Sequence, residues 1–140
     1  MPGVNWSNVQ FFKPAEFTAP DRLNPILVYK LDDLRAFLGM PCVITADWAN
    51  AGHSADSQHY LGNAIDCYFL DVPLLTQYLA AERFGFGGLG LYPDWSHPGL
   101  HLDVRDCSKQ GYAARWGRIG NKYVELATAL VYWMKRAALV

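Results

Sequence analysis

The 140-residue chain is poor in cysteine. Its three cysteines, Cys42, Cys67 and Cys107, are odd in number and show no paired spacing, which argues against a disulfide framework. Cys42 and Cys67 lie in apolar runs, where a reduced thiol serves as a small hydrophobic side chain. This pattern favours synthesis in a reducing compartment.

The sequence also lacks an excess of charge and a long apolar run. Its formal net charge is -1 and 18% of its residues are charged, with no basic cluster that would indicate nucleic acid or an anionic membrane. The most apolar stretch, residues 124–140, is interrupted by Lys135 and Arg136, so we expect a docked helix there rather than a membrane span. The N-terminal residues show no charged segment followed by an apolar one, and we expect no cleaved signal peptide.

The sequence does contain enough apolar material for one hydrophobic core. Apolar residues make up 51% of the chain, and no internal repeat or linker divides it. This length and composition predict one domain that covers residues 1–140.

Hydrophobic periodicity predicts the order helix, strand, strand, helix, strands, helix. We expect helices within residues 24–39, where Gly39 ends the helix, within residues 72–86, and after an N-cap at Asn121. We expect strands at residues 41–46, 64–72, 87–93 and 99–105, with a last edge strand at 113–119. The short connection around residues 93–99 favours antiparallel pairing. The predicted fold class is therefore α+β, a small domain with a central antiparallel sheet flanked by helices.

A long polar loop, residues 47–63, leads into the second predicted strand. Connections of this length within a compact domain are often functional. His59 lies near the end of the loop, Gly62 allows the chain to turn, and Asp66 follows on the strand. Alternation turns Asp66 to the face opposite the apolar residues of that strand, which are Ile65, Cys67 and Phe69.

A second polar pair lies in the strand predicted at residues 99–105. His101 and Asp103 are two positions apart, so both project to one face. His59, Asp66 and His101 together offer two imidazoles and one carboxylate, a donor set that suits catalytic zinc with an open position. The alternative is an ordinary turn and strand, because a histidine and an aspartate at this spacing often occur by chance. In a metal site, Asp103 would either lie beside the metal's water or hold the His101 ring in place.

The same residues match a known pattern. The stretch "SQHYLGNAIDCYF" resembles the S-x-H-x-x-G-x-A-x-D signature of zinc D-alanyl-D-alanine carboxypeptidases and their relatives, which include lysostaphin-type peptidases and the hedgehog signalling domain. The matching positions are Ser57, His59, Gly62, Ala64 and Asp66.

The stretch "GGLGLYPDWSHPGLHLDVR" is similar to the second half of the motif in the short branch of that family, whose members are often encoded by phages or prophages. The matching positions are Tyr92, Pro93, His101 and Asp103. The similarity extends from about Phe12 to Trp116 and so covers most of the chain.

The resemblance implies a hedgehog-like or DD-peptidase-like fold that binds one zinc ion through His59, Asp66 and His101. It implies hydrolysis of peptide bonds in peptidoglycan stem peptides or cross-links, as in an endolysin or a DD- or LD-peptidase. Many family members place an acid three residues before the last histidine ligand, as general base, and here that position is Pro98. Asp103 is therefore the first candidate for the catalytic base.

Other residues carry weaker expectations. Asp94 and His97 are further candidates for the base, although both lie in the turn after the predicted strand at residues 87–93. His53, like His97, is expected to be a solvated loop residue. We expect the substrate contacts to be Ser57, Tyr60 and Tyr92, with Trp48 and Trp95 nearby.

A second departure concerns recognition of a substrate carboxylate. Relatives commonly carry an arginine just after the first strand, where this chain has Trp48 and Ala49. Tryptophan does not replace the bidentate contacts of a guanidinium, and this favours an endopeptidase over a carboxypeptidase. Arg105 could take the place of that arginine only if its strand ends before residue 105. In a strand that continues, alternation turns the Arg105 side chain away from the face of His101.

The sequence also leads to expectations about the oligomeric state, location and partners of the protein. We expect a monomer that is made in the cytoplasm without a signal peptide and acts at the bacterial cell wall, with a phage origin as one possibility. Peptidoglycan peptide is the expected partner; nucleic acid and a membrane span are not expected. The alternative function is a catalytically degenerate wall-binding or virion structural module that keeps the peptidase fold.

Overall fold

The computed structural model of the protein describes residues 3–138. Within them the fold is α+β, as the sequence predicts, with α-helices beside a six-stranded sheet. The helices are α1 (Pro25–Leu38), α2 (Leu74–Glu82) and α3 (Leu126–Ala138). The strands are β1 (Cys42–Ala46), β2 (Ala64–Phe69), β3 (Gly88–Tyr92), β4 (Gly99–Asp103), β5 (Ala114–Ile119) and β6 (Lys122–Val124). In this part of the chain no helix has the length and apolar character needed to cross a membrane.

Helix α1 begins and ends at the residues that its sequence indicates. The Asn24 side chain accepts a hydrogen bond from the backbone N–H of Ile26 (3.0 Å), and Pro25 fills the first helical position, where no donor is lost. Gly39 ends the helix in the left-handed conformation (φ 68°), which glycine adopts without strain. The helix buries an apolar stripe against the sheet: Leu27, Val28, Leu31 and Leu34.

The sheet has the strand order β1-β2-β4-β3-β5-β6 and is antiparallel except where β3 runs parallel to β5. Strand β5 forms where it is predicted, but its expected edge position is wrong, because β6 pairs along its outer side. The prediction that Asn121 caps the last helix is also wrong. Asn121 lies in the tight turn between β5 and β6, and the residues after it extend to pair with β5 before α3 begins at Leu126.

The helices cover one face of the sheet. On β5, the Arg115 guanidinium pairs with Glu82 of α2 (2.7 Å), and a Cβ atom on Gly117 would lie 2.3 Å from the Cβ of Ala129 in α3. The alternation predicted for β2 is confirmed, since its apolar residues are buried in the core: Ile65, Cys67 and Phe69. Residues of the opposite alternation on these strands therefore face away from the helices.

Strand register aligns four positions on the face away from the helices. Asp66 of β2 is paired with His101 of β4, His101 with Gly90 of β3, and Gly90 with Trp116 of β5. Residues in one such row lie side by side, because neighbouring strands are about 4.8 Å apart. The row brings two of the predicted metal ligands together from strands that are far apart in sequence.

Gly62 holds the third predicted ligand in position. It ends the short 3₁₀ turn Gln58–Leu61 with φ 73°, and its N–H donates to the carbonyl oxygen of His59 (3.2 Å). A Cβ atom at this position would lie 1.9 Å from the backbone oxygen of Arg22. Only glycine fits both the positive φ and this close approach of two backbone segments.

We predict that Gly62→Ala lowers the free energy of unfolding by roughly 3 kcal/mol, because left-handed strain and a backbone clash add together. Gly39→Ala is the matched control, since Gly39 also has positive φ (68°) but a Cβ atom added there would meet nothing within 4 Å. We expect it to cost about 1 kcal/mol. Urea unfolding of the three proteins measures both values; equal losses would contradict the role given to the Gly62–Arg22 contact.

Candidate metal centre

His59 is oriented by the backbone of the loop that precedes it. Its side chain is buried, and its Nδ1 lies 2.8 Å from the carbonyl oxygen of Asp47. A carbonyl oxygen only accepts, so Nδ1 carries the proton and Nε2 of a neutral ring presents a lone pair. That lone pair faces Oδ1 of Asp66 at 3.2 Å.

His101 is oriented by the opposite nitrogen. Its Nε2 lies 2.7 Å from Oδ2 of Asp103, a carboxylate that accepts the Nε2–H. Its Nδ1 then presents a lone pair to Oδ1 of Asp66 at 3.1 Å. A backbone carbonyl and a carboxylate thus fix the tautomers of the two rings, a second layer of contacts that is typical of metal-binding histidines.

The two lone pairs and the Asp66 oxygen converge on one point. The three ligand atoms lie within 4.8 Å of one another. Three electron-pair donors without protons between them repel one another, and a cation at their centre removes that repulsion. Two imidazole nitrogens and one carboxylate oxygen are the donor types that zinc takes in catalytic sites. The His59, Asp66 and His101 cluster therefore fits a single zinc ion.

The electrostatics of the cluster also favour positive charge at this point. Burial opposes ionisation of Asp66, but the contacts of its Oδ1 with His101 and His59, where a proton stands in place of a metal cation, outweigh it and lower the pKa of Asp66 to about 2. Burial likewise opposes charge on His101, yet its bonds with Asp103 and Asp66 raise its pKa above the ordinary value. The carboxylates are thus ionised at neutral pH and attract a cation, whether a proton or a metal ion.

Asp103 lies behind His101 rather than in front of it. Its side chain is fully buried, and its two oxygens receive three N–H bonds from the Arg105 guanidinium at 2.7 to 3.1 Å, in addition to that of His101. Burial works against its ionisation, but His101 and Arg105 lower the pKa of Asp103 to about 2. Gly88 makes the space, since a Cβ atom there would lie 2.1 Å from Oδ2 of Asp103. In this placement Asp103 is hydrogen-bonded to the His101 ring, and both roles predicted for it in a metal site stay predictions.

The proposed ligands open into a cavity of about 810 Å³. Its wall includes all three of them, together with the predicted substrate residues Ser57 and Tyr92. The other predicted substrate residue, Tyr60, supports the wall from outside: its hydroxyl donates to the carbonyl oxygen of His53 (2.6 Å) and accepts from the N–H of that residue (2.9 Å). Asp103 is not among the described residues that line the cavity.

The weaker candidates for the base lie elsewhere. Asp94 accepts a hydrogen bond from the backbone N–H of Gly120 (2.7 Å) and ties two turns together. His97 stacks on Tyr68 with ring centroids 4.6 Å apart. Neither Asp94 nor His97 is among the described residues that line the cavity. The catalytic assignment of Asp103 stays a prediction, as do these two.

Sequence reasoning missed several cavity residues, of which His53, Trp116 and Arg118 bear most on the site. His53, expected to be a solvated loop residue, stacks on His59 with ring centroids 4.2 Å apart and lines the cavity. Burial and the neighbouring His59 lower the pKa of His53. Trp116 and Arg118 reach the cavity from β5. The only sequence signal for these two was their spacing, which places them on one face of a predicted strand.

Arg105 reaches the site face because β4 ends at Asp103, two residues before it. The strand thus ends before Arg105, as it must for this residue to replace the arginine that is absent after the first strand. Its guanidinium is committed to Asp103, however, and its carbon lies 5.0 Å from the ring centre of Trp116. Arg105 therefore supports Asp103 and Trp116 instead of presenting a free charge.

We predict that protein purified without added metal contains near-stoichiometric zinc, and that His59→Ala or His101→Ala loses it with the fold retained. His97→Ala is the matched control, since His97 lies outside the cavity. Zinc that binds only the native state stabilises it by about 4 kcal/mol at 1,000 times its Kd, so chelation lowers the melting temperature. Elemental analysis and thermal melts measure both effects; a metal-free wild-type protein that does not take up added zinc contradicts the site.

No curated protein matches the chain. Residues 47–109, however, match a family model that is described as peptidoglycan L,D-endopeptidase MepK. The matched segment contains His59, Asp66, His101 and Asp103, and it ends before β5. The match supports the metallopeptidase family that the sequence motifs indicate, on the segment that carries the candidate metal centre.

Proposed function

We propose that the protein is a zinc-dependent peptidase that cleaves peptide bonds in the stem peptides or cross-links of bacterial peptidoglycan. The observation that carries this proposal is the convergence of His59 Nε2, Asp66 Oδ1 and His101 Nδ1 at the wall of an open cavity. The match of residues 47–109 to a peptidoglycan endopeptidase family supports the substrate class.

We assign different roles in hydrolysis to different residues of the chain. His59, Asp66 and His101 would hold the zinc ion, which when bound supplies Lewis-acid polarisation of a carbonyl and lowers the pKa of water. Asp47 and Asp103 fix the ring orientations of the two histidines. These contacts hold the lone pairs in place before any metal arrives, which lowers the cost of forming the site.

Residues on the cavity wall are further candidates for the proton acceptor of the attacking water. Of the wall residues outside the proposed ligand set, His53 and Asp56 carry side chains of the kinds that act as general bases. His53 stacks directly on His59, a proposed ligand, and therefore lies close to the proposed position of the metal ion. Both His53 and Asp56 join Asp103 as candidates for the general base.

The cavity also has the form of a peptide-binding cleft. Tyr92 and Trp95 stack with ring centroids 4.4 Å apart and form an apolar wall. Ser57 lies on the wall as well, but its hydroxyl caps the 3₁₀ turn by accepting from the His59 N–H (3.2 Å). An aromatic wall and a few polar groups are typical of sites that bind flexible ligands. An open cleft of this kind favours an endopeptidase.

The second candidate function is a wall-binding module that keeps the fold and the metal but does not cleave. Two observations favour it: Pro98 stands where many relatives carry an acid, and the nearest acid on β4, Asp103, is buried away from the cavity. The action at the cell wall, the phage-type branch and the monomeric state are common to both functions and stay predictions.

We predict that Asp103→Asn weakens zinc binding by about 10- to 100-fold, because the neutral amide accepts the Nε2–H of His101 less strongly and no longer neutralises Arg105. Asp106→Asn is the isosteric control on an exposed carboxylate whose hydrogen bonds among the described residues are with the N–H and side chain of Ser108. Competition with a chelator of known affinity measures the dissociation constant. Unchanged zinc affinity together with lost turnover would overturn the orienting role and restore Asp103 as general base.

We predict that the zinc-loaded protein releases new amino groups from purified peptidoglycan, that a chelator stops the release, and that added zinc restores it. His59→Ala should be inactive, while His97→Ala should retain activity, since His97 lies outside the cavity. Mass spectrometry of the fragments identifies the cleaved bond. Tight binding of wall fragments by zinc-loaded wild-type protein with no cleavage would favour the binding module.

A further inference from the structure

Strand β5 brings two nitrogen donors to the wall of the cavity opposite the loop that carries His59. Trp116 and Arg118 are two residues apart, so both side chains lie on the face away from the helices. Both line the cavity. They also lie outside residues 47–109, the segment that matches the peptidase family.

Arg118 differs from the two other arginines nearby in having no anionic partner. Arg105 is paired with Asp103 and Arg115 with Glu82, both at 2.7 Å. Within residues 3–138, no carboxylate pairs with the Arg118 guanidinium, and its buried Nε makes no hydrogen bond. A buried donor on a charged group is costly when it lacks a partner, and a bound anion removes that cost.

Trp116 adds a second donor without a partner. Its buried Nε1 completes no hydrogen bond in the described part of the chain, although it lies close enough to the Tyr92 hydroxyl to lower the pKa of that group. The indole lies across Gly90, where a Cβ atom would lie 2.6 Å from Nε1, and its ring is 5.0 Å from that of His101. Gly90 thus gives the indole access to the metal centre. An indole nitrogen only donates, so its ligand has to be an acceptor.

Tyr92 connects Arg118 with the metal centre. Burial raises the pKa of the Tyr92 hydroxyl and the negative charge of Asp66 raises it further, while Trp116 and, to a smaller extent, Arg118 lower it. Tyr92 also lines the same cavity as Asp66 and Arg118. Arg118 is held in place by Tyr123, its cross-strand partner, with the guanidinium carbon 5.2 Å from the ring centre.

We propose that Arg118 and Trp116 bind a free carboxylate of the peptide substrate next to the scissile bond. The inference rests on the proposed peptidase function and adds to it the substrate feature that is recognised. Peptidoglycan stem peptides offer such a group, because a residue linked through its side chain keeps its α-carboxylate free. A guanidinium binds a carboxylate through two parallel hydrogen bonds.

The test uses two synthetic stem peptides that differ only in whether the carboxylate beside the scissile bond is free or a carboxamide. For the wild-type protein we expect kcat/KM to be about 10- to 100-fold higher on the free acid, as a charge-assisted pair implies. Arg118→Gln should lose this preference, and Arg118→Lys should keep only part of it. Arg83→Gln, which removes an exposed arginine stacked on Phe37, is the control and should keep the full preference.

A binding measurement separates this inference from the proposed function. The two peptides are titrated into the His59→Ala protein, with and without Arg118→Gln, and tryptophan fluorescence gives the Kd. We expect tighter binding of the free acid, lost with Arg118→Gln, even where no cleavage occurs. Equal cleavage and equal binding of the two peptides by proteins with Arg118 would overturn the inference and leave the peptidase function standing. Carboxylate-dependent binding without any cleavage by the zinc-loaded wild-type protein would support the inference and overturn the peptidase function.

Discussion

The pairing of Asp66 on β2 with His101 on β4 is the contact on which the rest of the site depends. A slip of one residue between these strands would turn His101 into the core and an adjacent leucine into the cavity. The register is fixed on the other face, where Ile65 is paired with Leu102 and both are fully buried. Burial of such a side chain contributes about 1.5–3 kcal/mol, so the apolar core determines where the polar ligands meet.

The two histidines gain their orientation from different parts of the fold. The ring of His59 is set by the carbonyl oxygen of Asp47, whose own buried side chain accepts a hydrogen bond from the N–H of Thr18. The ring of His101 is set by Asp103 and, through it, by Arg105. The N-terminal segment and the end of β4 are therefore connected to the proposed metal ligands through short chains of hydrogen bonds. This explains why residues outside the cavity bear on the chemistry inside it.

Local patterns predicted the ligands, but not what surrounds them. Alternation placed Asp66 and His101 on one face of their strands, and Gly62 marked the turn that positions His59, because both signals depend on neighbours in sequence. The same alternation placed Asp103 beside His101 but did not indicate how deeply the Asp103 side chain is buried. That burial depends on the space that Gly88 leaves on the next strand. Arg118 was missed because its position follows from the parallel pairing of β3 with β5, a long-range contact that no local pattern specifies.

Strand β3 shows how one sequence serves both faces of the sheet. Its residues alternate between glycine and leucine: the leucines, Leu89 and Leu91, are fully buried in the core, and the glycines lie on the site face. A glycine within a strand weakens it and is expected where another group approaches closely. Here Gly88 admits the Asp103 carboxylate and Gly90 admits the Trp116 indole, each closer than a Cβ atom would allow. The loss of strand stability at these two positions is offset by the leucines between them, so the central strand leaves room for the site without giving up the core.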